Sequence, residues 1–426
     1  MLDIKLVRDN PDIIEQDLMK RERTDKIGEL HELIIKDKER RHIIQKVEEL
    51  KCKRNNVTRI IADKKKKNLD VAREMKEMKD IPDEIKELDN RLDKLNFECR
   101  DVLMKLPNIL NDTVPMGKDD NDNVEVKRWG LVPSFKFKAK NHFELLQNLD
   151  LIDSERAAKI AGHGFFYMKN DLVLLDHAIQ RFAIDFLMRK GFTVIQPPFM
   201  MARKPYEGVT DLGVFDEVLY KIEGEDLYMI ATSEHPIAAM YMDEVFLKSQ
   251  LPLKIIGISP CFRKEVGSHG KYTKGLFRMH QFYKIEQFIF CLPEQSWELH
   301  EELQKNSEEL YQALEIPYRV VNVCTGDIGD IAAKKYDTES WMADGYYREI
   351  GSNSNCTDYQ ARRLNIKWRE LEGKAPEGFV HTLNNTALAT SRVMVAIIEN
   401  NQQEDGSIKI PKALWPYTGF KEIRKR

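Results

Sequence analysis

The densest set of chemically useful side chains lies between Phe262 and Phe288, in FRKEVGSHGKYTKGLFRMHQFYKIEQF. Arg263 and Glu265 fall on a first strand, a Gly- and Lys-rich loop follows, and Arg278, His280, Phe282 and Glu286 interleave along a returning strand. Two arginines, an aromatic ring and two carboxylates around one cleft are poorly suited to a dry core, where every charge would need a partner. They suit a nucleotide, whose phosphates, ring and amino partner each need a contact. The guanidinium fork can grip phosphate or carboxylate bidentately. Lys271 and Lys274 alone read as solvated loop charges; the residues inside the strand pattern do not.

The elements that must position this hairpin divide the chain. Residues from about 26 to 105 are dominated by Lys, Glu, Arg, Asp, Leu and Ile, with one glycine, Gly28, and one proline, Pro82. One helical stripe runs Ile27, Leu30, Ile34, Ile44, Val47, Leu50. A second runs Ile85, Leu88, Leu92, Leu95, Cys99, Val102, Leu106 in steps of three and four, as an a/d seam does. The basic run Lys64 to Lys67 between them marks the tip of a long antiparallel hairpin. Such an arm could be a spacer or dimerisation rod. Its distal basic cluster of Lys51, Lys53, Arg54, Arg59, Lys64 and Lys65 points instead to a phosphate backbone.

LPNILNDTVPMGKDDND, with Pro107 and Pro115, ends the helical pattern and reads as a linker. The expected organisation is an arm domain over 1–106, a linker over 107–135 and a second domain over 136–426. In the last, helices are expected at Leu174 to Lys190, Ala238 to Phe246, about 294 to 314, and Leu388 to Asn400. Strands are expected in GFTVIQPPFMM (191–201) and DLYMIATSEHP (226–236), and near Lys254 to Cys261, Phe277 to Phe290, Tyr318 to Val323 and Tyr346 to Ile350. Strands run together with helices inserted, which predicts an α+β fold on a largely antiparallel sheet flanked by helices. No G-x-x-x-x-G-K-[ST] or G-x-G-x-x-G is present, so a nucleotide site here is neither a P-loop nor a Rossmann site.

Composition sets outer bounds. With 67 Lys and Arg against 70 Asp and Glu, the net charge of −3 offers no global basic field, so any nucleic-acid site must be local. The six cysteines form no C-x-x-C pair and read as reduced thiols of a cytoplasmic protein. No apolar run approaches the roughly 20 residues of a membrane helix.

FRKE, a loop, then GLFRMHQFYKIE resembles the second signature motif of class II aminoacyl-tRNA synthetases, in the form used by seryl-tRNA synthetases. GFTVIQPPF with Pro198 is similar to motif one, and TALATSRVMVAIIENNQ with Arg392 to motif three. ATSEHP (231–236) and EIGSNSNCTDYQARR (349–363) resemble segments narrower to the serine branch. The resemblance spans the chain, from MLDIKLVRDNPD through the arm.

That resemblance implies attack of serine's carboxylate on the α-phosphate of ATP, then transfer of the seryl group to the 3′-terminal ribose of serine tRNA. Charging of selenocysteine tRNA, general in the family where that tRNA exists, stays open for this chain. Negative charge develops on oxygens in both steps, so fixed cations matter more than acid–base groups. It implies that Arg263 contacts the α-phosphate and the serine carboxylate, Arg392 the γ-phosphate, and Glu265 the adenine amino group. Phe282 would stack on the ring, with Met279 giving backbone contact and Lys264, Ile350 and Gly351 flanking. Glu349 and Ser352 would hold Mg²⁺ between phosphates. Thr232, Ser233, Glu234, Glu286, Asn384 and Thr386 would bind serine. His280 reads as structural. The arm would grip the long variable arm of the tRNA across a homodimer. No Cys/Glu/Cys context suggests the zinc-bound serine site of the rare methanogen form.

Motif three reads NNTALATSR where many bacterial members have NGSGLAVGR, and Gly351 and Asn353 replace the common Ser and Cys; these changes resemble archaeal and eukaryotic-like variation. Two other functions stay open: a paralogue charging a carrier protein, and a non-catalytic RNA-binding protein. The arm argues against the first. Arg263, Glu265, Glu286, Glu349 and Arg392 argue against the second.

Overall fold

The computed structural model describes residues 1–210, 215–265 and 275–425; Lys271 and Lys274 therefore lie outside the described residues. The chain forms two compact units, Met1–Pro107 and Asn108–Arg426.

The first unit is helical. Two short helices, α1 (Ile4–Asp9) and α2 (Pro11–Lys20), precede the 40-residue α3 (Ile27–Lys66); α4 (Ala72–Met78) and the 25-residue α5 (Ile81–Lys105) return. The Glu39–Arg91 and Lys46–Glu84 ion pairs run in opposite sequence directions, so α3 and α5 are antiparallel. Ile43, Val47 and Leu95 form the dry part of the seam with Leu88 and Leu92.

The α5 stripe faces inward as expected. The α3 stripe is displaced by one residue: Leu33 and Ile43 are buried, while Ile34 and Ile44 are only partly covered. The reason is Asp37, 1% exposed, which occupies a seam position. It accepts hydrogen bonds from Arg8 Nε and Nη2 at 2.6 and 2.9 Å, Arg40 Nη2 at 2.9 Å and Arg41 Nε at 3.1 Å. Burial alone would raise this carboxyl, but Arg8 and then Arg40 hold it below the usual range. An apolar-stripe search cannot see a seam position held by charge.

The second unit is built on an eight-stranded sheet. Its strands are β1 (Val124–Trp129), β2 (Thr193–Ile195), β3 (Leu253–Phe262), β4 (Gln281–Cys291), β5 (Tyr318–Asn322), β6 (Lys334–Trp341), β7 (Tyr347–Asn355) and β8 (His381–Ala389). They lie in the order β1-β5-β6-β7-β8-β4-β3-β2, antiparallel except for β2 beside β3. Along β4 the side chains alternate. Ile285 and Ile289 pack into one core with α6 (Asp171–Arg189), while Phe288 and Phe290 pack into a second core with Tyr206 and Tyr228. The face of Phe288 and Phe290 is continued by Glu286, Lys284 and Phe282, so the sheet changes there from core to cavity floor.

Several local expectations are corrected. The stretch 107–135 is not only linker: Val124–Trp129 is an edge strand paired with β5, its apolar–charged alternation masked by the Pro- and Asp-rich residues before it. The helix expected at Ala238 to Phe246 is α7, Glu234–Ala239, and Val245–Leu247 is a short strand. Helix α10, after α8 (Ser296–Ala313) and α9 (Tyr359–Leu364), starts at Thr390 rather than Leu388 and runs to Asn400. Strands β6 and β8 were not expected. HTLNNTALA lacks polar–apolar alternation because its polar residues are almost all buried, and in KKYDTESW the buried Asp337, Thr338 and Ser340 break it.

Candidate active site

A cavity of about 310 Å³ opens over β4, β7 and β8. Period-two spacing on β4 delivers Phe282, Lys284 and Glu286 to one wall. Arg263 follows the end of β3, Arg392 lies in the first turn of α10, and Thr232 and Glu234 come from the turn entering α7.

Two β-bulges set the opposite wall. One between Glu349 and Gly351 inserts Ile350, so Glu349 and Ser352 both reach the cavity although three apart, a spacing that would otherwise put them on opposite faces. The other, at Ala387 on β8, follows Asn384 and Thr386, which also line the cavity. Behind β8, Gln287 donates to Asn385 at 2.9 Å and accepts from Asn306 at 2.9 Å, a buried polar seam that fixes the strand. Gly351 permits the close approach of β7. A Cβ there would lie 3.0 Å from both the Thr386 carbonyl and the Tyr311 hydroxyl.

Charge in the cavity is unevenly matched. Arg263 donates its Nε to the Ala231 carbonyl at 3.2 Å and sits over the Phe282 ring, but has no carboxylate ion-pair partner among the described residues. Arg392 contacts Glu349 Oε1 at 3.2 Å and donates to its carbonyl at 3.0 Å. Burial would raise the Glu349 carboxyl, but Arg392, then Lys335 and Arg263, hold it well below the usual range. On the other side, Glu234 accepts from Gln360 and Asn384, each at 3.1 Å. Burial, and then the charge of Glu286, push Glu234 up to about 7. Glu286 is likewise raised by burial, against the pull of Lys284 at 2.5 Å and Thr386 at 3.3 Å.

The cavity therefore brings together Thr232, Glu234, Arg263, Phe282, Glu286, Glu349, Ile350, Gly351, Ser352, Asn384, Thr386 and Arg392 of the expected set. Four expected residues do not line it. Ser233 is fully buried behind it. Lys264 donates its backbone N–H to the Val218 carbonyl at 2.9 Å. Glu265, with φ of 49°, turns to Arg278 Nη1 at 3.0 Å. Met279 lines a smaller cavity of about 110 Å³ that also touches Phe282. His280 is packed on Phe165, 5.0 Å between ring centres, and bonded to the Tyr220 hydroxyl at 2.6 Å.

Lys284 and His235 line the cavity and were not anticipated. For Lys284 the signal was available: it lies midway between Phe282 and Glu286, two residues from each, on the same strand face. Among the described residues no cluster of three or more His, Cys, Asp or Glu side chains could hold a metal ion by itself. The Glu349 carboxylate and Ser352 hydroxyl are hard oxygen donors, suited to an ion that shares its shell with phosphates and water.

In the arm, Lys51, Lys53 and Lys64 pair with Asp89, Glu77 and Glu74 on the returning side. Arg54, Arg59 and Lys65 have no ion-pair partner among the described residues. No described helix is long and apolar enough to cross a membrane.

Residues 219–401 match the family model for the tRNA synthetase class II core domain (G, H, P, S and T), and residues 1–110 match the seryl-tRNA synthetase N-terminal domain. The chain is 54% identical to a serine–tRNA ligase of Methanocella arvoryzae over 98% of each chain. It is similar to the crystal structure of seryl-tRNA synthetase from Pyrococcus horikoshii complexed with ATP (TM-score 0.95, 47% identity, all of both chains). It is also similar to the cytoplasmic serine-tRNA ligase from Naegleria fowleri in complex with AMP (TM-score 0.90, 35% identity, 100% and 99% of the chains).

Proposed function

Because this chain belongs to the seryl-tRNA synthetases of class II, we propose that the cavity over β4, β7 and β8 holds serine and ATP side by side. The activity is ATP-dependent ligation of serine to tRNA. The carrier-protein and non-catalytic alternatives have no support among the relatives. One observation carries the assignment of the site: Arg263, with no carboxylate partner among the described residues, shares a cavity with Glu234, which is bonded to amides and whose ionisation burial suppresses. The first awaits an anion and the second a cation. Serine is both.

Serine's ammonium enters between Glu234 and Glu286, restoring the charge of Glu234, while Thr386 and Glu286 bond its hydroxyl. Alanine is rejected because those buried groups would be left unpaired. Arg263 holds serine's carboxylate against the α-phosphate. As the carboxylate oxygen attacks, Arg263 stabilises the charge growing on the phosphate oxygens, and pyrophosphate leaves toward Arg392. Lys284 keeps Glu286 in the acceptor form. Phe282 stacks on the adenine ring, with Met279 giving backbone contact and Glu265 accepting from the adenine amino group once it leaves Arg278. Glu349 and Ser352 would hold Mg²⁺, which when bound offsets the charge of the phosphates. In the second step the terminal ribose hydroxyl takes the seryl group.

The arm takes the long variable arm of serine tRNA by shape and backbone charge. Arg54, Arg59 and Lys65 contribute most, since Lys51, Lys53 and Lys64 must first leave acidic neighbours. The chain acts as a homodimer through its motif-one segment around Pro198, in the cytoplasm. The test is ATP–pyrophosphate exchange over the twenty amino acids without tRNA, followed by charging of a serine tRNA transcript. Exchange with serine alone supports the site. Exchange with another amino acid discards the roles given to Glu234, Glu286 and Thr386.

A further inference from the structure

Threonine carries every polar group of serine and one methyl more, so a pocket that rejects it must do so by size. A wall that can retreat rejects poorly. The groups given to serine's hydroxyl already touch one another. Thr386 Oγ1 lies 3.3 Å from Glu286 Oε2 and 3.4 Å from Lys284 Nζ. How firmly Thr386 is held therefore bears on selection, and the answer lies behind the sheet.

Successive cross-strand pairs of β8 and β4 face opposite ways. Thr386 and Glu286 line the cavity, while Asn385 and Gln287, one rung along, point back onto α8. Asn385 Oδ1 accepts from Gln287 Nε2 at 2.9 Å and from Ser307 Oγ at 2.5 Å. Gln287 Oε1 accepts from Asn306 Nδ2 at 2.9 Å, and Gln287 Nε2 reaches the Leu303 carbonyl at 3.3 Å. One side chain of β8 and one of β4 are thus bonded to each other and to the same helix. Asn385, Gln287, Asn306 and Ser307 are each at most 2% exposed, so no water replaces a bond that opens. Toward β7 there is no slack either, since a Cβ on Gly351 would lie 3.0 Å from the Thr386 carbonyl.

We propose that Asn385 is a specificity-determining positioning residue. Bonded to Gln287 and Ser307, it holds Thr386 and Glu286 at a spacing that fits serine's hydroxyl and does not yield to threonine's methyl group. This rests on the serine site proposed above and extends it from the hydroxyl that must be present to the methyl that must be absent. Asn385 touches no substrate. It acts through the backbone it shares with Thr386. Opening the seam leaves Thr386, Glu286 and Lys284 in the cavity, so serine still binds, while the wall behind its hydroxyl gives way to a larger side chain.

The test is the ratio of kcat/KM for serine to that for threonine in ATP–pyrophosphate exchange, with KM for ATP as the control. Asn385→Leu keeps the branched shape but accepts no hydrogen bond. It is expected to lower the ratio roughly tenfold, the low end of the factor for one methyl group, with KM for ATP unchanged. Ser307→Ala removes only one of the two bonds, and decides the matter if Asn385→Leu fails to fold. It is expected to lower the ratio a few-fold. Asn385→Asp, which keeps an accepting oxygen in place, is expected to hold the ratio near that of the unaltered chain. An unchanged ratio in either folded seam variant, a rise in KM for ATP that matches the loss for serine, or a ratio in Asn385→Asp as low as in Asn385→Leu would each overturn the proposal. Absence of serine-dependent exchange in the unaltered chain would instead remove the serine site itself, before any variant is compared.

Discussion

Buried carboxylates in the two units meet opposite fates. Asp37 in the arm is surrounded by Arg8, Arg40 and Arg41 and held below its usual range. Glu234 in the cavity is surrounded by amides and another carboxylate and pushed up to about 7. Burial raises both; the partners decide the outcome. A carboxylate whose cations come from its own fold is structure. One whose cation is missing is a receptor, and the missing cation describes the ligand.

The largest effect should come from the anion side of that receptor. Arg263→Ala should lower serine-dependent exchange by about 10³-fold, the scale for one preorganised donor at a developing oxyanion. Arg263→Lys should restore little, since an ammonium lacks the fork. Retention of exchange would show that Arg392 or Lys284 supplies the charge instead.

Removing the cations' partner in the arm should act on stability alone. Asp37→Asn leaves three guanidiniums around a neutral group and should cost about 2 kcal/mol, below the usual range for a broken buried pair because those guanidiniums are partly open to water. The Asp37 carboxyl is depressed in the fold, so its contribution is present above its unfolded value near 4 and lost as pH falls through the lower folded value. A melting curve of the arm unit at pH 7 and pH 3, for both forms, checks size and sign; equal pH dependence in the two would exclude Asp37.

The receptor should respond to pH in the opposite range. Below about pH 7 Glu234 carries a proton that must leave before an ammonium binds. KM for serine should therefore rise by up to about tenfold per pH unit below that value. Glu234→Gln should bind serine more weakly but with a flat profile. A profile in the unaltered chain as flat as that of the variant would assign the ammonium to Glu286 alone.

The smallest effects belong to the arm charges that have no ion-pair partner among the described residues. Arg54→Ala and Arg59→Ala should each weaken tRNA binding a few-fold and lower the salt slope by about one, with exchange as the internal control. Lys53→Ala should do less, because it also frees Glu77.

The same contrast explains what the sequence revealed. The arm's α5 seam and the α6 helix were legible because apolar periodicity reports burial against apolar surface. The Asp37 position was not, since charge in a seam breaks the stripe. Strands β6 and β8 were missed for a related reason: residues such as Asn384, Asn385 and Thr386 are polar because they line a site or a buried polar seam. Twelve of the expected site residues converge on the cavity because their motifs quote them directly. Lys284 and His235 escaped because a lysine between strand residues, or a histidine entering a helix, has an ordinary explanation until its neighbours are known.

On the proposed reading, serine's ammonium is the cation that Glu234 lacks. That reading is tested most directly by calorimetric titration of a non-hydrolysable seryl-adenylate analogue at pH 6.5, in buffers of different ionisation enthalpy. Release of a sizeable fraction of one proton on binding, lost in Glu234→Gln, is the predicted result. Binding with no proton release in the unaltered chain would contradict it.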